Sequence, residues 1–447
     1  MVKVITYGTF DVLHYGHIRL LERAKELGDF LIVGVTSDDY DKTRGKINNQ
    51  QSLMERIAAV KATGIADEVI VEEYEGQKID DIRKYNVDIF TVGSDWVGYF
   101  DYLKEYCKVI YLPRTAGVSS SEIRQTQRSL SLGLVGESGF LNKVAAECAV
   151  VNGITVAGVA ALNTSALSEE ITSLPIVTSD YSELLQNVDA VYIRSQPVKH
   201  YEQIKMAVMA GKHVLCEAPR TLNTDQWDEL TALAESRNVI LMDAIKTAYA
   251  TAYERLLLLL KAGKIGEIVS VDATCTSLLP DSEGEESKFK YNWDNIYEWG
   301  PTALLPVLQI LSTEYKEVRM AVRYYDDEKK HDAFTKMDFI YPSAVASIKT
   351  GNGVKSEGEL IVSGTKGYLY VPAPWWKTDY FEIRYENQEQ NRRYFYQLDG
   401  EGIRYELVAF AKAVGNGRNN SEIDPAISRT ICKLMEQFAR LENVNVI

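Results

Sequence analysis

The stretch Gly8-Thr9-Phe10-Asp11-Val12-Leu13-His14-Tyr15-Gly16-His17 follows a β-branched run, VKVITYG (2–8), and leads into a helical one, HIRLLERAKEL (17–27). It sits where a strand ends and a helix begins. Free backbone N–H groups and the positive end of the helix dipole favour an anion at such a junction. Two of the chain's five histidines, His14 and His17, lie three residues apart there, with Gly16 between them to admit a phosphate close to the backbone. Imidazole N–H groups can donate to a triphosphate and stabilise charge building on a transferring phosphorus. Two plainer readings stand beside this one. One is a helix start with two surface histidines and an aspartate near its cap. The other is metal ligation by His14 and His17, for which the sequence offers no third ligand nearby.

Outward from this junction, residues 1–125 alternate short strands with helices: FLIVGVTS, SLMERIAAVKAT, EVIVEE, IDDIRKYN, IFTVG and KVIYLP. Alternation of this kind predicts a parallel sheet with right-handed crossovers. A polar stretch at 119–131 is the expected linker. A second β-α series then runs from LSLGLVG (130–136) to VILMDAI (239–245), another doubly wound unit. From about residue 248 the pattern changes to a helix, ATAYERLLLLLKAG, followed by strand-rich aromatic segments without helices between them, which predicts an open, largely antiparallel sheet. The fold class is therefore α/β throughout the first two parts and α+β in the third, with boundaries at 1–126, 130–247 and 248–447.

Composition sets the limits. The chain has 447 residues, 46% hydrophobic and 25% charged, values of a globular protein with material for more than one core. A formal net charge of −14 argues against nucleic acid or an anionic membrane as partner, so any clustered cations are local devices. The 5 cysteines lie far apart with no CxxC pair, which predicts neither a disulfide framework nor a zinc site. The first residues lack a signal-peptide pattern and the longest aliphatic burst, 256–260, is too short for a membrane span. A cytoplasmic location is expected.

The junction motif, Gly-Thr-Phe-Asp-x-x-His-x-Gly-His, resembles the signature of the cytidylyltransferase family that includes glycerol-3-phosphate cytidylyltransferase. The resemblance continues through Gly45-Lys46, through Val92-Gly93-Ser94-Asp95-Trp96, and through the closing segment Arg114-Thr115-Ala116-Gly117-Val118-Ser119-Ser120-Ser121-Glu122-Ile123-Arg124. It implies that His14 and His17 hold the phosphates of CTP, and that Asp11 orients substrate or Mg2+. It also implies that Lys46, Arg114 and Arg124 neutralise phosphate charge, with Asp95 and Trp96 seating the cytidine. Ser119 and Ser120 would donate near the triphosphate, and Thr9, Phe10, Gly16 and Thr115 would line the nucleotide. Trp96 as core packing and Arg124 as a solvated cation are the plainer alternatives. One departure stands out: the family's Arg-Tyr-Val-Asp stretch reads Gly64-Ile65-Ala66-Asp67 here, which puts glycerol 3-phosphate in doubt as the acceptor.

In the second part the turn Gly136-Glu137-Ser138-Gly139-Phe140 keeps only the first glycine of a G-x-G-x-x-G fingerprint. Strand ITVAGVAA is followed by Asn163, Thr164 and Ser165 rather than an acid, which tilts toward NADPH over NADH. Segments Arg194-Ser195-Gln196-Pro197-Val198-Lys199-His200-Tyr201 and Lys212-His213-Val214-Leu215-Cys216-Glu217-Ala218-Pro219 resemble the Gfo/Idh/MocA oxidoreductase family over about residues 130–447. The resemblance implies a nicotinamide cofactor held by Gly136, Ser138, Gly139, Phe140, Asn163, Ser195, Pro197, His200, Glu217 and Pro219. The family's catalytic lysine and histidine read Ala218 and Thr302 here. Lys246, at the end of strand VILMDAI, is the expected substitute proton donor, with Tyr249 and Glu298 in reserve. His213 is expected to cap a helix. A helix-start cation in a folded relic is the plainer reading of Lys246.

Fusion of the two parts suggests consecutive steps on one metabolite: CMP transfer from CTP to a phosphorylated sugar or polyol, and reduction of a keto group. Alternatives are a single cytidylyltransferase with an inactive oxidoreductase part, or a nucleotide sensor without turnover. Both resemblances imply a homo-oligomer.

Overall fold

The computed structural model describes residues 1–37, 51–74, 76–113, 129–151, 153–279, 293–325, 331–396, 398–419 and 421–447. The chain divides after Arg128 into two compact units, Met1–Arg128 and Ser129–Ile447.

The first unit runs β1 (Lys3–Gly8), α1 (Tyr15–Lys25), β2 (Phe30–Thr36), α2 (Leu53–Ala62), β3 (Glu68–Glu72), α3 (Gln77–Tyr85), β4 (Ile89–Gly93) and β5 (Lys108–Leu112). Its sheet has the order β3-β2-β1-β4-β5 with every described pairing parallel. Successive side chains of β1 go to opposite faces. Val4 joins Leu21, Ala24 and Val60 on one side, and Ile5 joins Ile82, Phe90 and Leu103 on the other. Burial on both faces explains why β1 and β2 read as unbroken apolar runs. Helix α2 starts with a capping box, Ser52 against Glu55.

The second unit opens with β6 (Leu130–Val135), α4 (Phe140–Cys148), β7 (Ile154–Ala160), α5 (Glu169–Thr172), β8 (Ile176–Thr178), α6 (Tyr181–Gln186), β9 (Ala190–Ile193), α7 (Pro197–Met209), β10 (His213–Glu217), α8 (Thr224–Ser236) and β11 (Leu241–Ala244). These six strands lie in the order β11-β10-β9-β6-β7-β8, again parallel. A 3-10 turn (Lys246–Tyr249) and α9 (Thr251–Lys261) lead to β12 (Ile268–Thr276), α10 (Asn295–Leu311), β13 (Glu317–Tyr324), β14 (Asp332–Ile340), β15 (Val345–Gly351), β16 (Leu360–Gly364), β17 (Gly367–Val371), β18 (Tyr380–Tyr385) and β19 (Arg392–Phe395). The chain then continues through α11 (Ile403–Asn416) and α12 (Pro425–Ala439) to β20 (Val444–Val446).

This last sheet has nine strands, β19-β18-β17-β16-β12-β15-β14-β13-β20. It is mixed: β12 with β15 and β13 with β20 are parallel, and the other pairs are antiparallel. The expectation of an open, largely antiparallel sheet without interposed helices needs one correction. Helix α10 separates β12 from β13, although Gly300, Pro301 and Pro306 lie inside it. Its apolar side, Leu304, Leu305, Val307 and Leu308, is fully buried or nearly so, and that burial outweighs the helix-breaking cost of the prolines. The late helices fold back on the parallel sheet's layer. Trp227 Nε1 of α8 donates to Ser428 Oγ of α12 at 2.9 Å, and Arg429 grips Asp228 with two bonds of 2.7 Å. Among the described residues no helix is long and apolar enough to cross a membrane.

Candidate active sites

In both parallel sheets the ligand crevice belongs where strand order reverses, at the carboxyl ends of the strands. In the first unit that point lies between β1 and β4, and the histidine motif follows β1 directly. Residues Phe10 and Val12 hold φ of 53° and 47°, left-handed conformations costly for a bulky or β-branched side chain. Three groups maintain this strained turn. Buried Asp11 accepts from Gln51 N at 3.0 Å, while Val12 N donates to Gln51 Oε1 at 2.9 Å. Arg56, fully buried, donates from Nη1 to the carbonyls of Thr9 and Thr36, both at 2.8 Å, and from Nε to Gln51 O at 3.2 Å. Thr9 Oγ1 lies 3.3 Å from Thr36 Oγ1.

His14 is the N-cap of α1. Its Nδ1 accepts from Gly16 N at 3.0 Å, so in the neutral ring the proton sits on Nε2 and that atom is a donor. The N–H of Gly16, expected to lie open to phosphate, is thereby engaged by His14, while the missing Cβ still leaves its backbone approachable. The His14 and His17 rings stack with centroids 3.9 Å apart and 21° between planes, and Phe10 meets His17 edge-on at 5.5 Å. Across the switch point, Trp96 ends the 3-10 turn Ser94–Trp96 after β4 and packs against Tyr99 and Phe100 at 5.4 and 5.8 Å. The side chain of Asp95, and all of Lys46, Arg114, Thr115, Ser119, Ser120 and Arg124, lie outside the described residues. Among the described residues no group of three metal-binding side chains occurs. Asp11, the expected magnesium ligand, is 3% exposed and one of its oxygens is taken by Gln51 N.

In the second unit strand order reverses between β6 and β9. A cleft of about 250 Å3 opens there, lined among others by Gly136, Ser138, Arg194, Ser195, Lys199 and Trp293. Gly136 turns with φ of 133°, and a Cβ there would stand 2.3 Å from the carbonyl oxygen of Arg194. Only glycine lets the first turn close this tightly, as a dinucleotide's pyrophosphate requires. Arg194 is 8% exposed, lies 3.7 Å above the Trp293 ring and pairs with Glu298 at 2.6 Å. Its Nη1 is buried and has no hydrogen-bond partner among the described residues. The residues present thus fit an anionic dinucleotide.

The other expected cofactor residues are spread more widely. Ser138 Oγ accepts from Phe140 N at 3.3 Å, and Asn163 Oδ1 from Ser165 N at 2.9 Å. Gly139 precedes α4, Phe140 opens it, and Pro197 opens α7. His200 does not border the cleft: it is fully buried, its Nδ1 2.9 Å from Pro219 O and its Nε2 3.0 Å from Ser195 O. Burial pushes its pKa down to about 4 against the pull of those carbonyls. It positions the Ser195 and Pro219 segments rather than touching a ligand. His213 caps no helix; it starts β10 and its Nδ1 accepts from Ile240 N at 3.0 Å. Tyr249 is no reserve acid, being buried with its hydroxyl 2.9 Å from Ser421 Oγ.

Lys246 follows β11, its Nζ 3.4 Å from Glu401 and 5.6 Å from the centre of the Phe140 ring. Beneath it lies a buried group that sequence reading did not single out as a unit. Tyr192 Oη donates to Glu217 Oε1 at 2.5 Å and lies 3.4 Å from Glu406 Oε1. Burial pushes the Glu217 carboxyl up against the pull of Arg194, and burial with the charge of Glu217 pushes Glu406 well up. Glu406 Oε2 has no partner among the described residues. One hydroxyl proton cannot serve both carboxylates, and both carboxyls are pushed toward the protonated form. Arg56, Arg194 and Glu406 were the residues missed. A charged residue closing an otherwise apolar strand, as Arg194 does in AVYIRS, was the one available signal.

Comparison with known proteins agrees with both geometries. Residues 5–126 match the cytidylyltransferase-like family, and residues 131–244 match the oxidoreductase family with an NAD-binding Rossmann fold. Glycerol-3-phosphate cytidylyltransferase of Bacillus spizizenii is 51% identical over 130 residues, 29% of this chain and 100% of that protein. Trans-1,2-dihydrobenzene-1,2-diol dehydrogenase of Bos taurus is 25% identical over 276 residues, 60% of this chain and 82% of that protein. The fold of KijD10, a 3-ketoreductase from Actinomadura kijaniata solved with NADP and TDP-benzene, superposes with a TM-score of 0.63 at 19% identity. The match covers 72% of this chain and 99% of that one. The chain belongs to the cytidylyltransferase-like family through its first unit, and is a fusion of that enzyme with an NAD-binding domain of the Gfo/Idh/MocA oxidoreductase family.

Proposed function

We propose that the chain is a bifunctional enzyme that builds a CDP-linked alditol for surface polysaccharide. The first unit transfers CMP from Mg-CTP to a phosphorylated sugar or polyol. The second reduces a ketose phosphate, such as fructose 6-phosphate, or its CDP adduct. The stacked His14–His17 pair at a capped strand–helix junction carries the first half of this reading.

In the transfer, a phosphate oxygen of the acceptor attacks the α-phosphorus of CTP and pyrophosphate leaves in line. No covalent intermediate is needed, and catalysis is positioning plus neutralisation of spreading charge. His14 Nε2–H, fixed as a donor by the Gly16 N–H on its other nitrogen, meets the phosphate oxygens with His17 beside it. Asp11 orients the substrate and its magnesium. Lys46, Arg114 and Arg124 supply the remaining positive charge.

In the reduction, a bound nicotinamide supplies the hydride, with NADPH favoured over NADH by the absence of an acid after β7. Gly136 and Ser138 admit its pyrophosphate and Arg194 gives that anion a donor. Lys246 delivers the proton to the carbonyl oxygen, in place of the lysine that Ala218 replaces. The observation favouring a second reading, an inactive oxidoreductase part, is that Lys246 is already engaged by Glu401.

Pyrophosphate release from CTP, measured with a panel of phosphorylated polyols and ketoses, tests the first half. Absorbance of NADPH with the same panel and its CDP adducts tests the second. No release with any acceptor would overturn the transfer reading. No NADPH consumption with any substrate would leave only the cytidylyltransferase.

A further inference from the structure

Glu401 lies in the turn Gly400-Glu401-Gly402, whose three residues hold φ of 56°, 53° and 92°. A left-handed glutamate is strained and persists only where its surroundings hold it. The turn is pressed between two elements of the second unit. A Cβ at Gly400 would stand 2.2 Å from the Glu147 carboxylate of α4, and one at Gly402 3.3 Å from the carbonyl oxygen of Lys246.

Three lysines from three separate elements meet at this carboxylate. Lys143 of α4 approaches Oε1 at 3.0 Å, Lys377 approaches Oε1 at 3.6 Å, and Lys246 approaches Oε2 at 3.4 Å. Burial works against the charge of Glu401, yet the Lys143 bond and the charges of Lys246 and Lys377 hold its carboxyl at about 2. Three of the chain's lysines thus share one carboxylate in a chain of net charge −14. Glu147 and Asp399 beside the turn share a single partner, Arg404, at 2.8 and 3.6 Å, and the buried Glu217–Glu406 pair lies beneath Lys246. Part-exposed ion pairs contribute little stability, so structural need does not account for three lysines on one strained glutamate.

Solvent reaches the cluster: the side chains of Lys143, Lys377 and Glu401 are 55, 37 and 38% exposed. Half-buried Trp376, next in the chain to Lys377, meets half-buried Trp299 with ring centroids 4.9 Å apart at 61°. Trp376 is tied to the cluster through its carbonyl, which accepts from Thr247 Oγ1 at 3.0 Å.

We propose that Lys143 and Lys377 form a phosphoryl-binding subsite beside Lys246, in which Glu401 stands in for the substrate's oxyanion and yields its place when substrate binds. The inference rests on the reductase reading for the role of Lys246. Its ligand class is a phosphoryl dianion, either the monoester of a ketose phosphate or the pyrophosphate of a nucleotide-linked ketose. Ammonium groups suit both, as point charges without fixed geometry.

The test uses the full chain carrying His14→Ala, to weaken anion binding in the first unit, and titrates inorganic phosphate and pyrophosphate by calorimetry. Lys143→Ala with Lys377→Ala is expected to weaken pyrophosphate binding about tenfold, Lys143→Arg with Lys377→Arg to restore it, and Glu401→Gln to tighten it several-fold. In the chain with His14 intact, the alanine pair should raise KM about tenfold for the true substrate with kcat within about twofold. Whether this happens with fructose 6-phosphate or with its CDP adduct identifies the source of the phosphoryl group. Unchanged affinity in the alanine pair, or no tightening in Glu401→Gln, overturns the proposal. If anion binding responds as expected but NADPH is never consumed, the reductase reading falls and the subsite stands.

Discussion

Replacing His14 by asparagine separates the two tasks that one imidazole performs. Its Nδ1 caps α1 by accepting from Gly16 N at 3.0 Å, and its Nε2–H is the donor assigned to the CTP phosphates. Asparagine is among the best N-cap residues, so His14→Asn should keep the first unit's stability within about 0.5 kcal/mol, whereas His14→Ala should lose about 1 kcal/mol. Neither keeps the outward N–H of the ring. Loss of one charged or preorganised donor at a transferring phosphoryl group costs about 10²–10³ in kcat, or roughly 3–4 kcal/mol of barrier. Both variants should therefore show the same catalytic loss and different melting behaviour. The assays are pyrophosphate release at saturating CTP and urea denaturation followed by far-UV circular dichroism. If His14→Asn releases pyrophosphate at the wild-type rate, His14 is a cap and nothing more. If His14→Ala is as stable as wild type, the Gly16–His14 bond is not what starts the helix.

Arg56→Met removes the donors that hold the Thr9, Thr36 and Gln51 carbonyls, leaving buried acceptors unsatisfied; a stability loss of about 2–4 kcal/mol with loss of CTP binding is expected in denaturation and calorimetry. Gly136→Ala places a methyl 2.3 Å from Arg194 O, so NADPH binding by fluorescence titration should disappear while pyrophosphate release stays within about twofold of wild type. Glu406 has a raised carboxyl pKa, so the folded state keeps a proton that the unfolded state gives up above the ordinary glutamate range. Its contribution is full at acid pH and is lost as pH rises. Glu406→Gln, which mimics the protonated acid, should therefore gain on wild type in melting temperature from about pH 5 to pH 8; a constant gap across that range would refute the raised Glu406 carboxyl.

The parallel sheets were legible because burial on both faces turns strands such as FLIVGVT and AVYI into unbroken apolar runs, and helices between them leave no other topology. The histidine motif was legible because its residues are contiguous at one turn. Helix α10 was hidden by Gly300, Pro301 and Pro306, whose local signal is overruled by burial against β12 and β15. Contacts joining distant residues left no trace in spacing. Arg56 reaches back 47 residues to Thr9, and Tyr192 reaches 214 residues to Glu406. His200 misled for a related reason: a histidine after a strand looks like a ligand until both ring nitrogens are found facing backbone carbonyls.

The return of α12 onto α8 bears on how the protein is made. Trp227 and Asp228 meet Ser428 and Arg429 only when the chain has grown some two hundred residues further. At ribosomal speeds that interval is roughly 10–40 s, during which the apolar flank of α8 has no cover. The first unit, whose last described strand ends at Leu112, can settle long before. Translation therefore produces a finished transferase trailing a half-clad partner, and chaperone dependence should fall on residues 129–447 rather than on the head of the chain.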